Sequence, residues 1–164
     1  MKCSMCDSKK KLEFQVKNVK YESSGLDNVV IHKAKVYHCD NCGEEYIQYG
    51  NLDAIDSAIV EALLKKDDSL TGKEIRFLRT YKGYSGQAFA KRLDVSPEHL
   101  YRMEAKNKPV SEKFDRLVRL AYLSLPTDYN YDDIQDMLEG KKEMITFKRI
   151  NLFPKGDHYS IQFA

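Results

Sequence analysis

Ser85-Gly86-Gln87-Ala88-Phe89-Ala90-Lys91-Arg92-Leu93-Asp94-Val95-Ser96-Pro97-Glu98-His99-Leu100-Tyr101-Arg102-Met103-Glu104 decides how the middle of this 164-residue chain is read. Ser85 suits a helix N-cap, and Phe89, Ala90 and Leu93 fall on one side of the helix it opens. Asp94-Val95 breaks that pattern and makes a turn. Ser96 caps again, with Pro97 at the first helical position, where a missing N–H costs nothing. Leu100 and Met103 then face inward, leaving Glu98, His99, Tyr101 and Arg102 outward. The same grammar continues on either side. Thr71-Gly72-Lys73-Glu74 is a capping box for a helix through Ile75, Leu78 and Arg79 that ends near Lys82-Gly83. Downstream, Lys106-Asn107-Lys108-Pro109 stops the third helix. Ser111 caps a fourth, with Phe114, Leu117, Val118 and Ala121 on its buried stripe.

Charge marks out the same block. The formal net charge is only +2, yet residues 71–125 carry twelve Lys/Arg against six Asp/Glu, while residues 51–70 carry two against five. Such a block is either a solvated surface or the footprint of a polyanion. Charged residues make up 32% of the chain, and no apolar run approaches the ~20 residues of a membrane span. The N-terminus has no apolar signal core, so a soluble, cytoplasmic protein is expected.

All four cysteines lie within the first 42 residues, as Cys3-Ser4-Met5-Cys6 and Cys39-Asp40-Asn41-Cys42. Two thiolates separated by two residues reach one ion from a tight turn, and two such turns supply a tetrahedral S4 shell. Gly43 suits the second turn, and Lys9, Lys10 and Lys11 place cations near four thiolates. Disulfides fit a reducing compartment poorly, a redox pair needs no second copy, and Fe–S ligation shares the same thiolates. One structural Zn²⁺ on Cys3, Cys6, Cys39 and Cys42 is therefore expected. His32 and His38 are alternative ligands in principle.

The remainder falls into place around these two features. Strand-like runs at 12–19 and 29–37 flank the polar, Gly-containing stretch 22–28, which suits a hairpin loop. Asn51 caps a helix with Leu52, Ile55, Ile59, Ala62 and Leu63 at helical spacing, and Lys66-Asp67-Asp68-Ser69 reads as a linker. A further helix is expected over 128–139, followed by strands at 144–153 and 158–163 about Pro154-Lys155-Gly156-Asp157. Tyr159, Ile161 and Phe163 alternate with polar residues, so one face of that hairpin should be buried. The expected fold is α+β: a zinc-binding hairpin module at 1–49, a linker helix at 50–70, a helical domain at 71–125 and a C-terminal extension at 126–164.

Two short helices joined by a tight turn match the helix-turn-helix geometry, in which the second helix enters a major groove. The segment 85–104 also resembles the Xre-family helix-turn-helix, through Ser85, Ala90, Leu93, Val95-Ser96, Leu100 and Arg102-Met103-Glu104. That resemblance implies a lambda-repressor-like domain. Gly86 stands where the family places Gln, with Gln87 one step on, and Lys106 replaces the usual Gly, which passes the left-handed conformation to Asn107. On this reading Arg102 reads guanine through paired bonds, Glu98 accepts from cytosine or orients Arg102, and His99 and Tyr101 meet bases or a thymine methyl. Gln87 and the cap residue Ser96 complete the DNA-binding set, Gln87 against backbone phosphate or an end base, while Lys91, Lys106 and Lys108 are generic phosphate neutralisers. The order of the two parts resembles the MqsA antitoxin family with its YgiT-type zinc finger. It implies a homodimer on palindromic operator DNA and a toxin partner on the zinc module. A repressor is thus expected, with a zinc-dependent protein–protein adaptor as the alternative. No nucleophile–base pair, phosphate loop or open metal site argues for an enzyme.

Overall fold

The computed structural model describes residues 2–6, 11–124 and 148–164. They form a mixed α+β arrangement of five strands in one sheet and five α-helices. The first strands, β1 (Glu13–Lys20) and β2 (Val29–His38), pair antiparallel. The stretch between them is more than a polar loop. A short 3-10 helix (Glu22–Ser24) ends at Gly25 with φ +69°, and Tyr21 and Leu26 sink into the core on either side. Strand β3 (Glu45–Gln48) pairs antiparallel with the later half of β2.

Helix α1 (Leu52–Leu64) is capped by Asn51, whose side chain accepts from Ala54 N at 3.2 Å. Ile55, Ile59, Ala62 and Leu63 are buried as their spacing demands, whereas Leu52, expected on the same stripe, is 51% exposed. It belongs to the first turn of the helix. The stretch read as a linker is firmly held. Lys66 Nζ lies buried against both Glu74 oxygens at 2.9 and 3.0 Å. Arg119 donates to the carbonyls of Leu63, Leu64 and Asp68.

Helices α2 (Gly72–Tyr81), α3 (Gly86–Arg92), α4 (Pro97–Glu104) and α5 (Glu112–Leu123) follow. The capping box is complete, with Thr71 Oγ1 accepting from Glu74 N and Glu74 Oε2 from Thr71 N. Ser85 and Ser96 both accept from the backbone three residues on. Ser111 stands at the N-cap of α5 without a side-chain cap bond, and Leu117, placed on the buried stripe by periodicity, is 38% exposed. Asp94 makes the turn between α3 and α4 with φ +53°. Asn107 has no positive φ, contrary to expectation: α4 ends through Ala105 in right-handed geometry, and the Asn107 amide donates to Asp27 Oδ2 at 3.1 Å.

Strands β4 (Ile150–Lys155) and β5 (His158–Phe163) form a hairpin about Gly156, so Pro154 and Lys155 belong to the strand and not the turn. β4 runs parallel to β2, with Val29, Val30 and Ile31 opposite Ile150, Asn151 and Leu152. The C-terminal hairpin thus completes the N-terminal sheet. The expected helix at 128–139 and the start of the strand at 144–147 lie outside the described residues.

One apolar core runs unbroken from Val29, Ile31, Ile150 and Leu152 through α1 to Ile75, Phe89, Leu100 and Tyr122. Tyr159, Ile161 and Phe163 pack on it in alternation, as their spacing requires. A separate small cluster holds Cys3, Leu12 and Cys39. Among the described residues, no helix is long and apolar enough to cross a membrane.

Candidate metal centre and candidate nucleic-acid interface

The two Cys-x2-Cys turns meet at the far end of the sheet. The β2–β3 connection bends tightly there: Gly43 N donates to Cys39 O at 2.7 Å, and Gly43 takes φ +77°, a conformation glycine adopts without strain. The first turn is carried to the same end by a bridge between Lys2 and Lys11. The four sulfurs lie within 4.8 Å of one another, with Cys3–Cys42 and Cys6–Cys39 each at 3.6 Å. A tetrahedron with ~2.3 Å metal–sulfur bonds has sulfur–sulfur edges of about 3.8 Å, so the cluster fits an ion. A disulfide needs ~2.05 Å, and all four cysteines are free. Four cysteines close together can thus hold a metal ion, as their spacing led us to expect.

Sequence reasoning missed one member of this site. Tyr46, on β3, places its hydroxyl 3.3 Å from Cys3 Sγ and 3.0 Å from Ser4 Oγ, and accepts from Ser4 N at 3.1 Å. The hydrogen bond between Tyr46 and Cys3, opposed by burial and helped by Met5 N, pulls the Cys3 thiol down to about 6. At Cys42 a backbone bond from Glu44 pulls down, but burial and the hydrogen bonds with Cys3, Cys39 and Cys6 push the thiol up to about 12. A bound cation removes that conflict, because metal-held thiolates are deprotonated outright. The only sequence signal for Tyr46 is its place one turn past the second cysteine pair.

Both histidines stay outside the sulfur cluster. His32 Nε2 meets Asn151 Oδ1 at 2.9 Å and its ring stacks on Phe153, while His38 lies 4.0 Å from Asp40 and Glu45. Lys11 is exposed beside the first turn, and Lys9 and Lys10 lie outside the described residues.

The second set of expected residues gathers on α4 and its flanks. Glu98, Tyr101 and Arg102 are exposed, as are Gln87 on α3 and Lys106 and Lys108 after α4. Ser96 spends its hydroxyl on the cap to His99 N. His99 is half-buried, edge-on to Phe114 with ring centres 5.7 Å apart, and Arg102 Nη2 meets its Nδ1 at 3.1 Å. The Arg102 partner is therefore His99, one turn back, and not Glu98.

Two further contacts set this surface. A Cβ on Gly86 would stand 2.5 Å from the Tyr101 ring and hydroxyl, so Tyr101 occupies the space that a larger residue at 86 needs. Beneath it, Arg79 and Glu104 form a buried fork, Nε–Oε1 at 2.6 Å and Nη2–Oε2 at 2.9 Å, and Arg79 Nη1 donates to Tyr84 O. The hydrogen bond to Glu104, against desolvation, raises the Arg79 pKa further.

Much of the basic block is spent internally. Lys73 pairs with Asp27, Arg119 with Asp115, Arg116 with Glu112, and Arg92 donates to Ala121 and Ser124 carbonyls. Arg76, Lys91, Arg102, Lys106, Lys108 and Lys113 are exposed and, among the described residues, take part in no ion pair. No family model, no curated protein and no solved structure matches this chain.

Proposed function

We propose that this chain is a sequence-specific regulator of double-stranded DNA, with α3 and α4 acting as a helix-turn-helix. The observation that carries the reading is the outer face of α4. Glu98, Tyr101 and Arg102 project from a short helix whose inner face is locked by Leu100 and by the Arg79–Glu104 fork. Exposed cations outside any ion pair, Lys91 on α3 and Lys106 and Lys108 after α4, supply the sequence-independent attraction to phosphate. Arg102 reads guanine, Glu98 and Tyr101 contribute at neighbouring bases, and Gln87, Lys91, Lys106 and Lys108 meet the backbone. His99 acts mainly by orienting Arg102, since its ring is engaged with Phe114.

In this proposal the ion held by Cys3, Cys6, Cys39 and Cys42 is Zn²⁺, and its role is structural, because four protein thiolates leave no open position. The regulator works as a homodimeric repressor on a palindromic site. The knuckle end of the sheet is where a toxin partner docks, which would make the chain an antitoxin.

Binding to DNA from the organism's own upstream regions, titrated against salt, tests the central claim. Log affinity should fall linearly with log salt concentration, and a selection of bound genomic fragments should return one palindromic motif. A flat salt response, or no enriched sequence, contradicts it. Metal analysis of the purified chain should find one zinc per chain; iron in its place overturns the metal assignment alone.

A further inference from the structure

We propose that the outer edge of β1 docks a second copy of this chain, strand against strand, about a two-fold axis through Gln15. β1 ends the sheet: it pairs with β2 on one side and, among the described residues, with nothing on the other. Its side chains are exposed from Glu13 to Asn18, with Phe14 at 50% and Val16 at 58%. Open backbone groups beside exposed apolar side chains form a template for another strand.

The sequence of the strand chooses the partner and the register. Regular pairing with β2 covers residues 13–17 and is broken by a bulge between Lys17 and Val19. Gln15 is the midpoint of that regular stretch. Two copies laid antiparallel with Gln15 opposite Gln15 set Phe14 of each against Val16 of the other on one face. On the opposite face Glu13 of each meets Lys17 of the other, and symmetry makes every contact twice. Neighbouring registers fail. Within residues 13–17, centring on Phe14 sets Glu13 against Gln15, centring on Val16 sets Lys17 against Gln15, and centring on Lys17 opposes that lysine to itself. Over this stretch only the Gln15 register matches each charge with its opposite and each apolar side chain with another.

Lysines and bulges on an edge strand commonly keep edges apart. Here the bulge lies beyond the matched stretch, and the lysine finds its complement in the second copy. Its contact with Glu45 at 3.5 Å is a solvent-exposed pair that holds it weakly. The inference goes beyond the proposed function and does not rest on DNA binding.

Sedimentation of the full chain tests it. A concentration-dependent dimer is expected. Glu13→Lys alone, or Lys17→Glu alone, should weaken association roughly tenfold or more, since each opposes like charges twice per dimer. Mixing the two single variants should restore a heterodimer, because every Glu13–Lys17 contact then joins opposite charges again. Unchanged circular dichroism of both variants separates the interface from the fold. A chain that stays monomeric through the high micromolar range overturns the proposal. So do a dimer that neither substitution weakens, and single variants that fail to associate on mixing. A dimer that neither substitution weakens overturns this interface and leaves the homodimeric regulator standing, a monomer counts against both dimers, and none of these outcomes bears on DNA binding itself.

Discussion

Arg102 and Asp56 illustrate how much a single side chain's surroundings decide. Arg102 is exposed and held by His99 Nδ1 at 3.1 Å, so its guanidinium is aimed without being buried. In the proposed role Arg102→Ala should cost roughly 1–3 kcal/mol at one base pair and relax specificity there. Binding assays on matched and substituted sites check this, and an equal loss on random DNA contradicts a base-reading role. Asp56 is a different case. Burial pushes its carboxyl up, against a hydrogen bond from Tyr21 and with help from Asp53, and its Oδ1 has no partner among the described residues. Burial likewise raises Tyr21, with the Asp56 charge next, to about 12. A carboxyl with a raised folded pKa holds its proton more tightly when folded. Its contribution is full below the unfolded value and lost as pH rises through the folded one. Asp56→Asn should therefore be at least as stable as the parent at neutral pH, with the difference shrinking in acid. Thermal midpoints across the acid range would show it; a neutral-pH loss in the variant would mean the ionised carboxylate is needed.

The elements were legible to different degrees. Caps announced themselves because Thr71, Ser85 and Ser96 act within three residues of chain, a range that sequence encodes directly. Stripes were less reliable: Leu52 and Leu117 follow the helical period but stay 51% and 38% exposed. The contact fixing α4 against α2 was invisible, since nothing local says that Arg79 and Glu104 will meet. Glu104→Ala leaves a guanidinium buried without its carboxylate and should cost about 3–5 kcal/mol, read by denaturant unfolding. Metal removal tests the hairpin as an element. By sequence, 1–49 is one zinc-binding hairpin module. Structurally, Val29 and Ile31 are covered by β4 and the main core, while the knuckle cluster is Cys3, Leu12 and Cys39 with Cys6, Tyr37 and Tyr46 packed against them. Chelation should then speed amide exchange at 2–6, 11–12 and 39–48 and leave 29–31 protected. Collapse of protection at 29–31 would restore the module to independence.

At the scale of the whole molecule, the continuous core predicts one cooperative transition. Leu152 lies in the C-terminal hairpin and Leu100 in α4, both fully buried in the same cluster. Leu152→Ala and Leu100→Ala should each cost about 2–5 kcal/mol and lower the same thermal midpoint. Two transitions, each moved by only one substitution, would reveal separate units.

The sequence by itself determined the helices of the middle block, strands β1 and β2 between the cysteine pairs and the four-thiolate set, though not β3, because caps, periods and x2 spacings act over a few residues. The candidate site was largely legible too: the exposed face of α4 follows from burying Leu100. Tertiary structure alone decided that β4 lies parallel to β2, that Lys66 and Arg119 tie the supposed linker down, and that Tyr46 joins the cysteines. It also explained Gly86, whose missing side chain makes room for Tyr101. The physical reason is common to all four. Each depends on groups distant along the chain, and which of them meet is set by how the shared core closes, not by any local pattern.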